Sequence, residues 1–385
     1  MTLKNTNMFE NNFLYKTKKG KAIVGDSLQL MKLLPDNSVN LVMTSPPFAL
    51  SRPKEYGNKD QADYIDWILE FTKEVKRVIS DNGSFVIDLG GAYEKGTPIR
   101  SLYNFRLLIK MCDEQGWKLA EEFFWYNPAK LPSPIEWVNK RKIRAKDSVN
   151  TIWWLSKSDF PKADVRNVLT EYSERMKKLI EDSAKYYSPK KRPSGHDISE
   201  SFGNDNGGAI PSNLIQISNT ESNSKYLKYC KDLGINGHPA RFPSKLPEFF
   251  IKFLTEENDL VLDIFAGSNT TGWTAQQLNR KWLSFEIDHQ YLSASVLRFL
   301  DKEPLVYARP KYESLLLDPN AQINAEELLI QTVLFEPNPK YEVLEKKRAI
   351  AQRVVSRKRG VCPQTVLCKF ESASPARTFV EPPPA

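Results

Sequence analysis

The chain has 385 residues, 41% of them hydrophobic, enough to bury a full core in one large domain with insertions or in two. No run of 18 apolar residues occurs and residues 1–21 lack the apolar stretch of a secretory leader, so neither a membrane helix nor export is expected. Four cysteines (Cys112, Cys230, Cys362, Cys368) are too few for a disulfide framework, three histidines without cysteines at metal spacing give no metal site, and the +8 net charge suits a polyanionic partner.

Residues 1–20 read as a flexible polar N-terminus. Ala22–Val24 forms a short strand, and Gly25-Asp26-Ser27 opens a helix through Leu34. Val39–Thr44 is a second strand. It stops on Ser45-Pro46-Pro47-Phe48, because prolines lack the backbone N–H that a ladder needs. Apolar residues at helical spacing predict a helix over 62–80. Asp81-Asn82-Gly83 then reads as a turn before a third buried strand, Ser84–Leu89. A helix over 100–115 and strands over 121–127 and 150–155 follow. Alternating strands and helices predict a doubly wound α/β sheet. Residues 157–237 break this rhythm: they are charged, rich in Ser, Asn, Gly and Pro, and carry one clear helix near 171–185. The alternation resumes with a helix over 244–255, a strand over 260–264, a helix over 270–279, a strand over 281–286 and a helix over 289–300. Beyond about 305 the pattern thins. Helices are expected over 324–334 and 340–356, and disorder over 360–385.

Two constellations carry chemistry. The first is the Ser-Pro-Pro-Phe corner. The second is Val261–Gly272, where an apolar strand ends in Asp263 and a small-residue loop, Phe265-Ala266-Gly267-Ser268-Asn269-Thr270, opens a helix. Such a loop lets backbone approach a ligand at the C-terminal edge of a sheet. Some twenty residues on, Glu286 and Asp288 close the next strand, where an acid can hold ribose hydroxyls. The loop has neither G-x-G-x-x-G nor G-K-[ST], which leaves a non-pyrophosphate adenosine cofactor, S-adenosylmethionine, as the better fit.

Together the two constellations resemble the amino-methyltransferases of DNA. In that family a strand-end [D/N/S]-P-P-[F/Y/W] tetrapeptide accompanies an F-x-G loop. Serine in the first position resembles the N4-cytosine branch. The order, catalytic corner before cofactor loop, resembles the circularly permuted β group. The resemblance runs over roughly residues 20–300. It extends to 44–50, 85–93, 131–142, 192–198 and 238–243, which are similar to members that modify the internal cytosine of CAGCTG. One departure is Ala266, where the family carries glycine.

The resemblance implies a Rossmann-like, circularly permuted S-adenosylmethionine-dependent methyltransferase fold. Residues 21–156 would form the catalytic half, 157–237 a target-recognition insert, 238–304 the cofactor-binding half and 305–385 a basic, partly disordered extension. It implies acceptors for the cytosine amino group at Ser45 and Pro46, rigidity from Pro47, a stacking ring at Phe48 and a proton relay to Asp88. By position alone Asp88 reads equally as a turn cap on Gly90-Gly91, Phe48 as core, and Asp26 as an N-cap. The cofactor set it implies is Asp26, His238, Lys245, Asp263, Phe265, Gly267, Asn269, Thr270 and Glu286, with no metal. His238 and Lys245 fall toward the methionine end and Glu286 on the ribose.

Basic residues Arg141, Lys142, Arg144, Lys191 and Arg192 are candidates for contacts to double-stranded DNA, the implied partner. The basic stretch 346–359 reads as filler, a DNA-binding tail or a nuclear address. The implied setting is a monomer in the bacterial cytoplasm acting on the nucleoid, beside a restriction endonuclease that works separately, or a nucleus if the host is eukaryotic. Two other readings stay open: an N6-adenine methyltransferase on the same scaffold, and a catalytically silent DNA-binding protein.

Overall fold

A computed structural model describes residues 9, 12–49, 61–186, 193, 203–220, 224–318 and 320–326. Among them a ten-stranded sheet runs in the order β10-β1-β2-β9-β8-β3-β4-β6-β5-β7. The strands are β1 (Tyr15–Lys16), β2 (Gly20–Val24), β3 (Val39–Thr44), β4 (Ile79–Leu89), β5 (Lys118–Tyr126), β6 (Val149–Ser156), β7 (Leu214–Gln216), β8 (Leu260–Asp263), β9 (Lys281–Glu286) and β10 (Ile323–Asn324). Strands β2, β9, β8, β3 and β4 are mutually parallel, while β6 pairs antiparallel with both β4 and β5.

Helices cover both faces, and strand side chains alternate between them. Leu41 and Met43 point with Val86, Ile152, Trp154 and Val261 into one core. Helices α6 (Lys225–Leu233), α7 (Lys245–Leu254), α8 (Thr270–Gln277) and α9 (His289–Phe299) supply that side. Val42, Phe85, Ile87, Trp153 and Leu262 point the other way. They meet α1 (Ser27–Lys32), α2 (Gln61–Val78) and α3 (Tyr103–Asp113). From β3 the chain moves by α2 to β4 on one side; from β8 it moves by α8 to β9 on the other. The strand order therefore switches direction between β3 and β8, where a doubly wound sheet leaves a crevice at its C-terminal edge.

Two elements depart from expectation. The Asp81–Gly83 turn is absorbed into β4 as an irregularity: β3 advances from Val39 to Leu41 while its partner advances from Ile79 to Ser84. Past residue 305 the fold continues, with helix α10 (Leu305–Leu317) and then β10, parallel to β1. The buried Lys311 ties these together through Glu303 Oε1 (3.0 Å) and the Ala325 carbonyl (3.1 Å). The helix expected over 324–334 thus gives way to a strand and a turn at its start, and 327–334, with 340–356 and 360–385, lies outside the described residues. In the 157–237 stretch, α4 (Glu174–Glu181) and α5 (Ser183–Tyr186) occupy the expected helix, and β7 joins the sheet edge beside β5. No helix among the described residues is long and apolar enough to cross a membrane.

Candidate active site

A cavity of about 1120 Å³ opens at the switch point. Each of the five mutually parallel strands contributes a residue at or just beyond its C-terminal end: Asp26 after β2, Ser45 after β3, Asp88 in β4, Asp263 in β8 and Glu286 in β9.

On one side, the Ser45 hydroxyl lies 3.3 Å from Asp88 Oδ2 and 3.2 Å from the Asp88 carbonyl. Asn150 Nδ2 donates to Asp88 Oδ1 at 3.1 Å. Asp88 is buried, and burial pushes its carboxyl up to about 6 against the opposing pull of Asn150, Ser45 and the Lys130 ammonium. An ordinary carboxylate would be a poor proton acceptor at neutral pH; one near 6 is suited to the task and still mostly ionised at pH 7. Phe48 is half-buried and lies over Gly90, where an added Cβ would meet the ring at 2.4 Å. Phe48 therefore both packs on the core and faces the cavity.

On the other side, Asp263 is buried and accepts from Thr44 Oγ1 (2.7 Å) and the Phe265 N–H (3.1 Å). Burial raises its pKa. Glu286 accepts from Gly267 N (2.7 Å) through one oxygen and from Asp288 N (3.0 Å) through the other. Burial raises its pKa as well. Gly267 has φ +50°, and a Cβ there would reach the His238 ring at 3.1 Å, so glycine suits both the backbone and the space. Ala266 does not take a left-handed conformation, so its methyl group costs no backbone strain. His238 bonds the Ala240 carbonyl through Nδ1 (2.6 Å) and meets Tyr291 edge-on at 4.5 Å; burial lowers its pKa. The buried Arg298 braces the loop, donating to Ser268 O (2.7 Å) and Oγ (3.1 Å). Phe265, Trp67 and Phe71 form an aromatic wall.

Of the residues singled out in sequence, Asp26, Ser45, Pro46, Pro47, Phe48, Asp88, His238, Asp263, Phe265, Gly267, Thr270 and Glu286 line this cavity. Asp26 also caps α1, accepting from Leu28 N at 2.9 Å, while facing the cavity. Two residues do not reach it. Lys245 is exposed at the start of α7. Asn269 is fully buried beneath the loop, capping α8 through Gly272 N (3.1 Å) and bonding Tyr15 Oη (2.8 Å) and Ser284 Oγ (2.7 Å). Its polar atoms are consumed by the fold. Lys130, Asn150, Asn127, Asn219, Arg241 and Tyr291 line the cavity without having been singled out. No group of metal-binding side chains occurs among the described residues.

The basic candidates divide. Arg141 and Lys142 are exposed, with Arg141 over the Trp137 ring at 4.9 Å and bonded to Glu136 at 3.1 Å. Arg144 is folded back over Tyr93 (4.3 Å) and donates to the Pro98 carbonyl (2.5 Å), which ties its charge to the protein. Lys191 and Arg192 lie outside the described residues.

Comparison with known proteins agrees with this geometry. The DNA methylase family profile matches residues 39–297. The type II methyltransferase M.PvuII of Proteus hauseri is 61% identical over 308 residues, covering 78% of this chain and 92% of that protein. M.ScaI of Streptomyces caespitosus is 26% identical, covering 74% and 82%. The solved structure of the PvuII DNA methyltransferase (cytosine-N4-specific) superposes with a TM-score of 0.68 at 49% identity, over 83% of this chain and 99% of that one.

Proposed function

The chain belongs to the DNA methylase family, and on that premise we propose that it transfers a methyl group from S-adenosylmethionine to N4 of cytosine in double-stranded DNA, at the internal cytosine of CAGCTG. The observation that carries the proposal is the Ser45–Asp88–Asn150 chain beside the Pro46-Pro47 corner, facing the Gly267–Glu286 cradle across one cavity. At about 1120 Å³ the cavity has room for two guests, since single small-ligand sites run from about 300 to 1,000 Å³.

The residues present fit the cofactor. Glu286 uses one acceptor position on each oxygen for backbone N–H groups and keeps others for a ribose diol. Gly267 leaves the loop backbone open to close approach, and Phe265, Trp67 and Phe71 offer a flat apolar wall. When bound, the cofactor supplies an electrophilic methyl group on its sulfonium.

The protein's own residues prepare the amino group. Its lone pair is delocalised into the cytosine ring, and acceptors aimed at both N–H bonds favour the pyramidal form. Ser45 Oγ and the Pro46 carbonyl are those acceptors, and neither proline offers a competing donor. The Ser45 hydroxyl points its own proton at Asp88, so a proton leaving nitrogen passes to Ser45 Oγ as the serine proton passes to the carboxylate. Asn150 fixes the carboxylate plane, and Phe48 stacks on the base, which must leave the duplex to arrive. Arg141 and Lys142 contact phosphate, and residues 157–237 contribute target contacts. The enzyme acts as a monomer on each strand of the palindrome in turn, beside a separate endonuclease.

A protection assay tests the target. DNA incubated with the protein and S-adenosylmethionine should resist an endonuclease that cleaves CAGCTG and stay sensitive to enzymes cutting elsewhere. Methyl incorporation without protection would remove CAGCTG from the proposal.

A further inference from the structure

Residues 127–148, between β5 and β6, form an excursion whose two ends line the cavity, through Asn127 and Lys130 at its start and Ser148 at its end, beside Asn150 of β6. Three large apolar side chains on it face solvent: Leu131 is 80% exposed, Ile135 61% and Ile143 60%. A free-standing enzyme has no folding reason to present three such groups on one projection, and exposed apolar clusters mark contact surfaces. Lys140, Arg141 and Lys142 are exposed on the same projection, so the surface pairs apolar tips with positive charge. That combination suits a polyanion with an apolar interior, which is duplex DNA.

The excursion is stiff. Lys146 Nζ holds the carbonyls of Pro128 (3.1 Å) and Lys130 (3.3 Å), and the Asp147 N–H reaches Ser133 O at 3.0 Å. Asp147 in turn accepts from Tyr93 Oη (2.8 Å) and Arg100 (2.7 Å), on the segment that follows Asp88 and Gly90. The projection is thus pinned to the strand end that carries the relay.

Resting on the DNA methylation reading, we propose that Leu131 is the wedge that enters the duplex in place of the extruded cytosine. It is the most exposed of the three and directly follows Lys130, which lines the cavity, so it stands at the rim through which the base must pass. Apolar side chains inserted between base steps offset the cost of unstacking, and a pre-ordered one loses little freedom on insertion.

The experiment compares kcat/KM on two duplexes, one with the target cytosine paired to guanine and one with it opposite an abasic site, where extrusion is cheap. Leu131→Ala should lose roughly tenfold or more on the paired duplex, the scale of burying a leucine side chain. It should regain most of that on the abasic duplex. Leu131→Met, which keeps the volume, should stay near the unaltered protein on both. Leu317→Ala removes a 68% exposed leucine at the C-terminal end of α10, away from the cavity lining, and should change neither rate. Equal loss on both duplexes would make Leu131 a plain contact, and no loss on either would make it surface; both overturn the wedge while leaving methylation intact. No methylation of either duplex by the unaltered protein would overturn the methylation reading and the wedge with it. Because Leu131 is exposed, cofactor binding should be the same in all variants.

Discussion

Asp88→Asn should slow turnover and stabilise the fold at the same time. Burial raises the Asp88 carboxyl from its ordinary 3.8 to about 6. The folded state therefore holds this proton more tightly than the unfolded chain does. The sign follows directly: the contribution of Asp88 is most favourable below pH 3.8 and is lost as pH rises through about 6. At about 1.4 kcal/mol per tenfold change in ionisation, keeping Asp88 charged at pH 7 costs about 3 kcal/mol. An asparagine of the same shape can accept from Asn150 and meet the Ser45 hydroxyl with its amide, so it removes the charge and keeps the contacts. Urea unfolding near pH 7.5 should show a gain of about 2–3 kcal/mol for the variant, shrinking toward zero near pH 4. Methyl transfer should fall by about 10²–10⁴, the usual worth of a general base. No gain near pH 7.5, or a gain of equal size at both pH values, would refute the idea that a buried, strained carboxylate is kept for catalysis.

The same carboxyl should set the acid limb of the pH–rate profile. In kcat/KM it should rise through a pKa near 6, and Asn150→Ala, by removing a bond that favours the charged form, should move the limb to higher pH; an unmoved limb would assign it to another group. Gly267→Ala forces a methyl group toward His238 in a left-handed backbone, and calorimetry should find S-adenosylmethionine binding weakened by about tenfold with little change in Tm. Asn269→Ala removes the α8 cap and two further buried hydrogen bonds; thermal unfolding should show a loss of about 2–3 kcal/mol, whereas Lys245→Ala should leave cofactor affinity unchanged.

Much of the site was legible because its residues sit at strand ends, and strand ends are visible in sequence. Apolar runs closing on Ser45-Pro46-Pro47, on Asp263 and on Glu286 mark one edge of a parallel sheet wherever the strands are found. Asn150 was not legible in the same way. It reaches Asp88 only because β6 runs antiparallel to β4, with Asp88 opposite Ile152, and that register spans more than sixty residues of chain. Asn269 could not be placed from sequence, because a polar residue in such a loop looks the same whether it faces a cavity or caps the helix beneath, as it does here. Arg144 illustrates the limit of counting charge, since Tyr93 and the Pro98 carbonyl take it out of the basic surface. Helix α10 escaped notice because Pro310 lies inside it and its buried face includes Lys311, so no clean apolar stripe appears.

Digestion of the methylated product to nucleosides bears most directly on the central claim. A CAGCTG duplex treated with the protein and methyl-labelled S-adenosylmethionine should yield label only in N4-methylcytosine, and the Ser45→Ala protein should yield almost none. Label in N6-methyladenine would contradict the role given to Ser45. No label in any nucleoside, from folded protein that binds both DNA and cofactor, would contradict catalysis altogether.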